Sequence, residues 1–308
     1  MLGRIVGAVR FREPLSFHTA LRIGGPVEFF VMPQDLDDLR YALAFAEQED
    51  LPVVVLGAGN NVLISDRGLQ AVVLKIGGSL SRAEFYGDEV AVGGGMSLSS
   101  LIRDAAARDL GGLEFLAGIP ATIGGALATN VRTAEGALID LCSAVYYLHP
   151  DGTLGEFRPH AAIGRAFDPP PSSVVVGCRL KLVRKPAEKI QKELKQRLKM
   201  RKVGQPFALA TAGYIWKNPP GDLAARLIET SGLRGKRLNG AEISAKCGNL
   251  IINRGGAGHQ DVLALMELAR DRVETRFGIT LWPDIKMLGF TASPVEAEPY
   301  ELIAASAR

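Results

Sequence analysis

The chain has 308 residues, of which 47% are hydrophobic and 22% charged, enough to bury two or three separate cores in the manner of a globular protein. Lys and Arg number 36 against 33 Asp and Glu, a net charge of +3, which implies no polyanionic partner such as nucleic acid but suits a small anionic substrate. Cys142, Cys178 and Cys247 show no paired spacing, the four histidines are scattered and no apolar run reaches membrane-spanning length, which argues against a disulfide framework, a metal centre and membrane insertion and for a reducing cytoplasm.

After a short arm, residues 28–32 read as a strand and residues 34–49 as a helix with Leu36, Leu39, Leu43 and Phe45 on its apolar side. Residues 51–56 resume an extended run, which feeds into Gly57, Gly59, Asn60 and Asn61 in VVVLGAGNNVLISD. A strand, a glycine turn and a second strand form a phosphate-binding arrangement when their amides converge. Short extended pieces follow, including EVAVGGG, and then a helix over residues 97–109 with Leu98, Leu101, Ile102 and Ala105 in register.

The run LEFLAGIPATIGGALATN, residues 113–130, is too glycine-rich for a helix interior and too patterned for a linker. Gly118, Gly124 and Gly125 permit positive φ and carry no Cβ, so a large anion can approach the backbone closely. Either glycine segment alone is equally readable as a tight turn in an α+β protein. Together they favour a ligand of dinucleotide size.

Residues 142–148, 155–159 and 173–183 read as further strands. Pro186 opens a charged helix with a narrow stripe of Ile190, Leu194 and Leu198, a fitting domain junction. The last third holds a glycine and asparagine loop at residues 213–221, a helix over 223–231, the run GAEISAKCGNLIINRG and an amphipathic helix over 260–276. Beyond Phe290 the chain is small and polar and reads as a tail.

Six segments, HTALRIGGP, LGAGNNVLISD, GLEFLAGIPATIGGALATN, TAGYIWKNPPG, GAEISAKCGNLIIN and FGITLWPDIKMLG, occur in that order along nearly the whole chain. In this the sequence resembles the flavin-dependent UDP-N-acetylenolpyruvoylglucosamine reductases of bacterial peptidoglycan synthesis, in their compact form. The resemblance implies an α+β fold, with a two-part FAD-binding region of the vanillyl-alcohol-oxidase-like type and a C-terminal substrate-binding α+β domain. The expected boundaries are residues 1–75 and 76–200 for the two FAD-binding parts, 201–290 for the substrate domain and 291–308 for the tail.

The resemblance further implies non-covalent FAD, NADPH as hydride donor, a nucleotide-sugar substrate and a monomeric, cytoplasmic enzyme. FAD contacts then fall on Arg22, Gly57, Gly59, Asn60, Asn61, Gly118, Ile119, Pro120, Thr122, Gly124, Gly125 and Asn130, and substrate contacts on Gln205, Lys217 and Asn218. Arg165, Tyr214 and Asp284 occupy the positions of the family's catalytic arginine, proton-donating serine and glutamate. Hydride addition to the enolpyruvyl double bond develops negative charge beside the carboxylate and calls for a cation and a proton source.

Several positions depart from the family pattern. Tyr214 replaces a serine with a more acidic but longer donor, and Asp284 replaces a glutamate with a shorter carboxylate. Gly164 and Phe167 stand for a tyrosine and a serine, Ala121 for a glycine, Asn60 for a serine and Cys247 for a histidine, while Arg132 and Thr133 interrupt a small-residue loop. Two alternatives therefore stay open: a diverged flavoprotein acting on another substrate, and a flavin or nucleotide-sugar binder without turnover.

Overall fold

The computed structural model describes residues 2–159, 167–204 and 209–290. Arg165, Gln205 and the expected tail lie outside the described residues. The chain forms two units. The first comprises the chain up to Glu13, Val27–Ala58 and Gln70–Arg201, and the second comprises Pro14–Pro26, Gly59–Leu69 and the chain from Lys202 on.

In the first unit a four-stranded sheet has the order Ala8–Pro14, Pro26–Met32, Leu69–Leu74, Val53–Val55. The arm expected from the sequence is thus an edge strand, whose alternating arginines hide it from an apolar-pattern reading. Helix α1 (Leu36–Gln48) begins at Asp35, which accepts from the N–H groups of Asp37 and Asp38, and buries Leu39, Ala42, Leu43 and Ala46 against Val72 and Leu74. Asp38 is also buried on α1, because its carboxylate accepts from the N–H groups of Val6, Gly7 and Gln34 and so ties down the N-terminal segment.

A five-stranded antiparallel sheet in the same unit runs Leu154–Phe157, Cys142–Leu148, Val174–Lys181, Glu89–Gly93, Ala83–Tyr86. Helices α2 (Leu98–Ala106) and α3 (Ile123–Ala128) bury their apolar faces in the core that this sheet shares. Phe167 is buried there with Tyr147 and Phe157 as an aromatic filler. Helix α4 (Ala187–Gly204) inserts Ile190 and Leu194, whereas Leu198 is exposed, so the expected stripe is shorter by one turn.

The second unit contains a four-stranded antiparallel sheet in the order Ala210–Tyr214, Leu250–Asn253, Ala241–Ile243, Arg237–Leu238. Helices α5 (Ala224–Thr230) and α6 (His259–Phe277) contribute Leu227, Ile228, Val262, Leu265 and Met266 to its core. A parallel pair joins Val62–Ile64 to Lys286–Leu288. The two strands that flank the first glycine loop therefore do not pair with each other: Val53–Val55 pairs in parallel with Leu69–Leu74, and Val62–Ile64 pairs with Lys286–Leu288. Among the described residues no helix is long and apolar enough to cross a membrane.

Candidate functional site

In the first unit the 119–125 turn hangs from the glycine run that ends the Glu89–Gly93 strand. The N–H groups of Gly124, Ile123 and Leu98 donate to Gly94 O, Met96 O and Ala121 O at 2.7, 2.8 and 2.9 Å. A Cβ on Gly94 would lie 2.5 Å from Val175 O, and one on Gly95 2.5 Å from Ile76 O, so this backbone stacking requires the glycines. Thr122 caps α3, its Oγ1 accepting from Gly125 N–H at 3.2 Å. Gly57 sits against the same turn: a Cβ there would lie 2.6 Å from Thr122 Oγ1 and 3.7 Å from Gly125 Cα. The two glycine stretches thus share one seam.

Gly118 has φ +78°, and Ile119 and exposed Pro120 lead into a turn closed by Ala121 N–H on Ile119 O at 3.0 Å. Glu114 anchors the approach, accepting from Gly112 N–H at 2.6 Å and pairing with Lys185 at 2.9 Å. Asn130 follows α3 at φ +47°, a left-handed conformation that asparagine tolerates better than most residues. That position gives it a structural reason independent of any ligand.

In the second unit Gly59, at φ +67°, is packed against the 15–25 loop. Ala20 N–H donates to Gly59 O at 2.9 Å, and a Cβ on Gly59 would meet His18 O at 2.2 Å. Arg22 stands exposed at φ +57° between buried Leu21 and Ile23, in a backbone held by Thr19 Oγ1 on Ile23 O and by Asn253 Nδ2 on Leu21 O. A non-glycine residue in this conformation costs about 1 kcal/mol, and burial of its two neighbours imposes it.

The Ala210–Tyr214 strand ends in a bulge at Gly213, φ +73°, where a Cβ would approach Asn60 O to 3.3 Å. The bulge precedes Tyr214, which pairs with Leu250 and remains 47% exposed. Beyond it, Asp284 N–H donates to Ile215 O at 2.8 Å and Lys217 N–H to Trp282 O at 2.9 Å. Asn61 reaches the same place, its Nδ2 donating to Asp284 O at 3.2 Å. Asn60, Asn61, Tyr214, Lys217 and Asp284 are therefore borne on adjoining backbone.

Desolvation pushes the pKa of the Asp284 carboxyl above its ordinary value, and the Lys217 ammonium opposes the shift. The residue remains exposed to solvent, but its carboxyl lies among enough protein atoms to lose part of its hydration. Asn218 is used structurally as well: its Oδ1 accepts from Ala224 N–H at 3.0 Å, at the start of α5. Sequence reasoning did not single out Asn249, whose buried side chain clasps Trp216, or Asn253 beneath the Arg22 loop. The signal was present as polar residues inside the apolar run GNLIIN.

Residues 27–158 match the family model of an FAD binding domain, and residues 205–288 match that of the UDP-N-acetylenolpyruvoylglucosamine reductase C-terminal domain. UDP-N-acetylenolpyruvoylglucosamine reductase 2 of Symbiobacterium thermophilum is 38% identical over 287 residues, covering 92% of this chain and 93% of that protein. The reductase of Syntrophotalea carbinolica is 39% identical over 292 residues, covering 94% and 97%. The crystal structure of UDP-N-acetylenolpyruvylglucosamine reductase from Thermus caldophilus superposes with a TM-score of 0.80 at 34% identity, covering 92% of this chain and all of that one. The chain belongs to the UDP-N-acetylenolpyruvoylglucosamine reductase family.

Proposed function

We propose that this chain is an FAD-dependent reductase that uses NADPH to convert UDP-N-acetylglucosamine enolpyruvate to UDP-N-acetylmuramate, a step of peptidoglycan precursor synthesis. The observation that carries the reading is the junction of residues 215–217 with 282–284, which sets a cation beside a desolvated carboxyl next to Tyr214 in a chain of this family.

The seam at Gly57, Thr122 and Gly125 fits FAD: it presents backbone with no Cβ in the way, and neither loop contains a histidine or cysteine able to bond the flavin covalently. Gly57, Gly59, Asn60, Asn61 and residues Gly118, Ile119, Pro120, Thr122, Gly124 and Gly125 would hold it, with Asn130 at the end of α3 and the Arg22 guanidinium supplying charge. When bound, FAD supplies hydride transfer from NADPH to the enolpyruvyl double bond.

This chain's own residues then bind and protonate. The double bond gains hydride at one carbon and a proton at its neighbour, and the Tyr214 phenol donates that proton. Lys217 and the N–H2 group of Asn218 bind the anionic sugar nucleotide, Arg165 and Gln205 complete the substrate side, and Asp284 orients or protonates as charge develops. The enzyme acts as a monomer in the cytoplasm, a reducing compartment that suits its free cysteines. Incubation of purified protein with FAD, NADPH and the enolpyruvyl UDP-sugar should deplete nicotinamide absorbance only when the sugar is present. Absence of sugar-dependent oxidation refutes the assignment.

A further inference from the structure

Beyond the Tyr214–Leu250 strand pair, the segment that leads to Lys217 is held on one side at Trp216 by a side chain. Trp216 is 2% exposed, its indole packed in the core of the second unit. Asn249 is 3% exposed, and its carboxamide meets both main-chain groups of Trp216: Oδ1 accepts from Trp216 N–H at 2.8 Å, and Nδ2 donates to Trp216 O at 2.8 Å. The orientation of the amide is fixed, because an N–H can face only the oxygen. Ile215 N–H adds a third bond, to Asn249 O at 3.1 Å.

A carboxamide placed in this way reproduces the donor and acceptor pair of a strand residue just beyond the point where the pairing of Ala210–Tyr214 with Leu250–Asn253 ends, at the Tyr214–Leu250 pair. The opposite edge of the same residues is bound to 282–284, through Asp284 N–H on Ile215 O and Lys217 N–H on Trp282 O. Residues 215–217 are thus set between Asn249 and the Asp284 segment, and the register of one edge fixes that of the other.

We propose that Asn249 is a positioning residue of the reduction: its double hydrogen bond to Trp216 sets where Tyr214 and Lys217 stand relative to Asp284. This rests on the reductase reading above, but its geometric content does not. Asn249 touches no substrate; it acts through the main chain of Trp216. Removing the carboxamide frees both groups of Trp216 and lets residues 214–217 shift, and a displacement on the ångström scale costs about a hundredfold in rate. An aspartate there keeps the acceptor for Trp216 N–H but faces Trp216 O with a second oxygen, until protonation restores a donor.

The test uses the full chain loaded with FAD, in wild-type, Asn249→Ala and Asn249→Asp forms. Flavin content, melting temperature, kcat and KM with NADPH and the enolpyruvyl UDP-sugar, and amide hydrogen exchange of Trp216 and Lys217 are measured. Expected results for Asn249→Ala are retained FAD, kcat reduced on the order of a hundredfold and faster exchange at Trp216 and Lys217. Asn249→Asp, the variant that keeps the shape, should recover kcat as pH falls, along a limb that the wild type lacks. Unchanged exchange at both amides, a wild-type kcat in Asn249→Ala, or a loss matched by equal loss of bound FAD overturns the proposal. A wild type that oxidises no NADPH with this sugar overturns the reductase reading instead, and the exchange measurement still decides the positioning.

Discussion

Lys217 and Asp284 are made neighbours by main-chain bonds that neither side chain enters: Lys217 N–H meets Trp282 O, and Asp284 N–H meets Ile215 O. Their charges then act on each other, desolvation raising the pKa of Asp284 and the ammonium lowering it. Lys217→Met removes only the opposing effect, so the carboxyl should move further up. If Asp284 acts as the acid, the alkaline limb of its pH–rate profile shifts to higher pH in this variant, and a profile that stays in place separates the two side chains.

The same shift bears on stability. A carboxyl whose folded pKa lies above its unfolded one takes up protons on folding, so stability declines as pH rises from the ordinary carboxylate range through the raised value. Asp284→Asn is expected to melt no lower than wild type at neutral pH, with the difference vanishing in acid, while turnover falls by about a hundredfold or more. Thermal melts across pH alongside kcat check both halves. A lower melting temperature at neutral pH contradicts the assigned environment.

Tyr214→Phe keeps the ring and removes the phenolic proton. Flavin reduction by NADPH should persist, while reoxidation by the enolpyruvyl UDP-sugar slows by about two to four orders of magnitude, the usual weight of a general acid. Anaerobic rapid mixing separates the two half-reactions. Normal reoxidation in the Phe variant would show Tyr214 to be packing.

The seam between the glycine stretches is tested by Gly57→Ala, whose new Cβ would lie 2.6 Å from Thr122 Oγ1. Flavin affinity should drop by at least tenfold, since either the hydroxyl or the 57–61 loop must move. Thr122→Ala removes the cap on Gly125 N–H and should cost about 1 kcal/mol of stability. Flavin fluorescence titration and denaturant melts read the two effects independently.

Much of this architecture could be read from the chain. The helix expected over 97–109 announced itself by the spacing of Leu98, Leu101, Ile102 and Ala105, because an apolar face is a local property; it forms over Leu98–Ala106, with Ser97 as its cap. The Gly57 to Thr122 seam was legible only as two separate glycine runs; that they meet depends on pairings remote in sequence. The partition of the first glycine loop's two flanking strands between sheets was not legible, since Val53–Val55 and Val62–Ile64 look alike and only Leu69–Leu74 and Lys286–Leu288 distinguish them. Asn249 was hidden for a related reason. A buried polar residue in an apolar run shows that a partner exists without naming it.

Glu242 is 2% exposed, covered by the side chains of Arg254 and Arg237 rather than by an apolar core. Hydrogen bonds from Arg254, and then from Arg237, hold its carboxyl below the ordinary range. The stabilisation is therefore complete above the unfolded carboxylate value and is lost as pH falls through the lowered one. Glu242→Gln should cost roughly 2 kcal/mol at neutral pH and much less in acid. Urea melts at the two pH values check this, and equal losses at both would refute the electrostatic origin.

Asn218 spends its oxygen on Ala224 N–H. In the substrate-binding role proposed above, the N–H2 half of the amide would offer two donors to a ligand. In that role the amide would select phosphoryl or carbonyl oxygens by polarity of hydrogen bonding as well as by charge. Replacing Asn218 by Asp would keep the helix start intact while reversing that preference, turning a receiver of oxygen atoms into one that repels them.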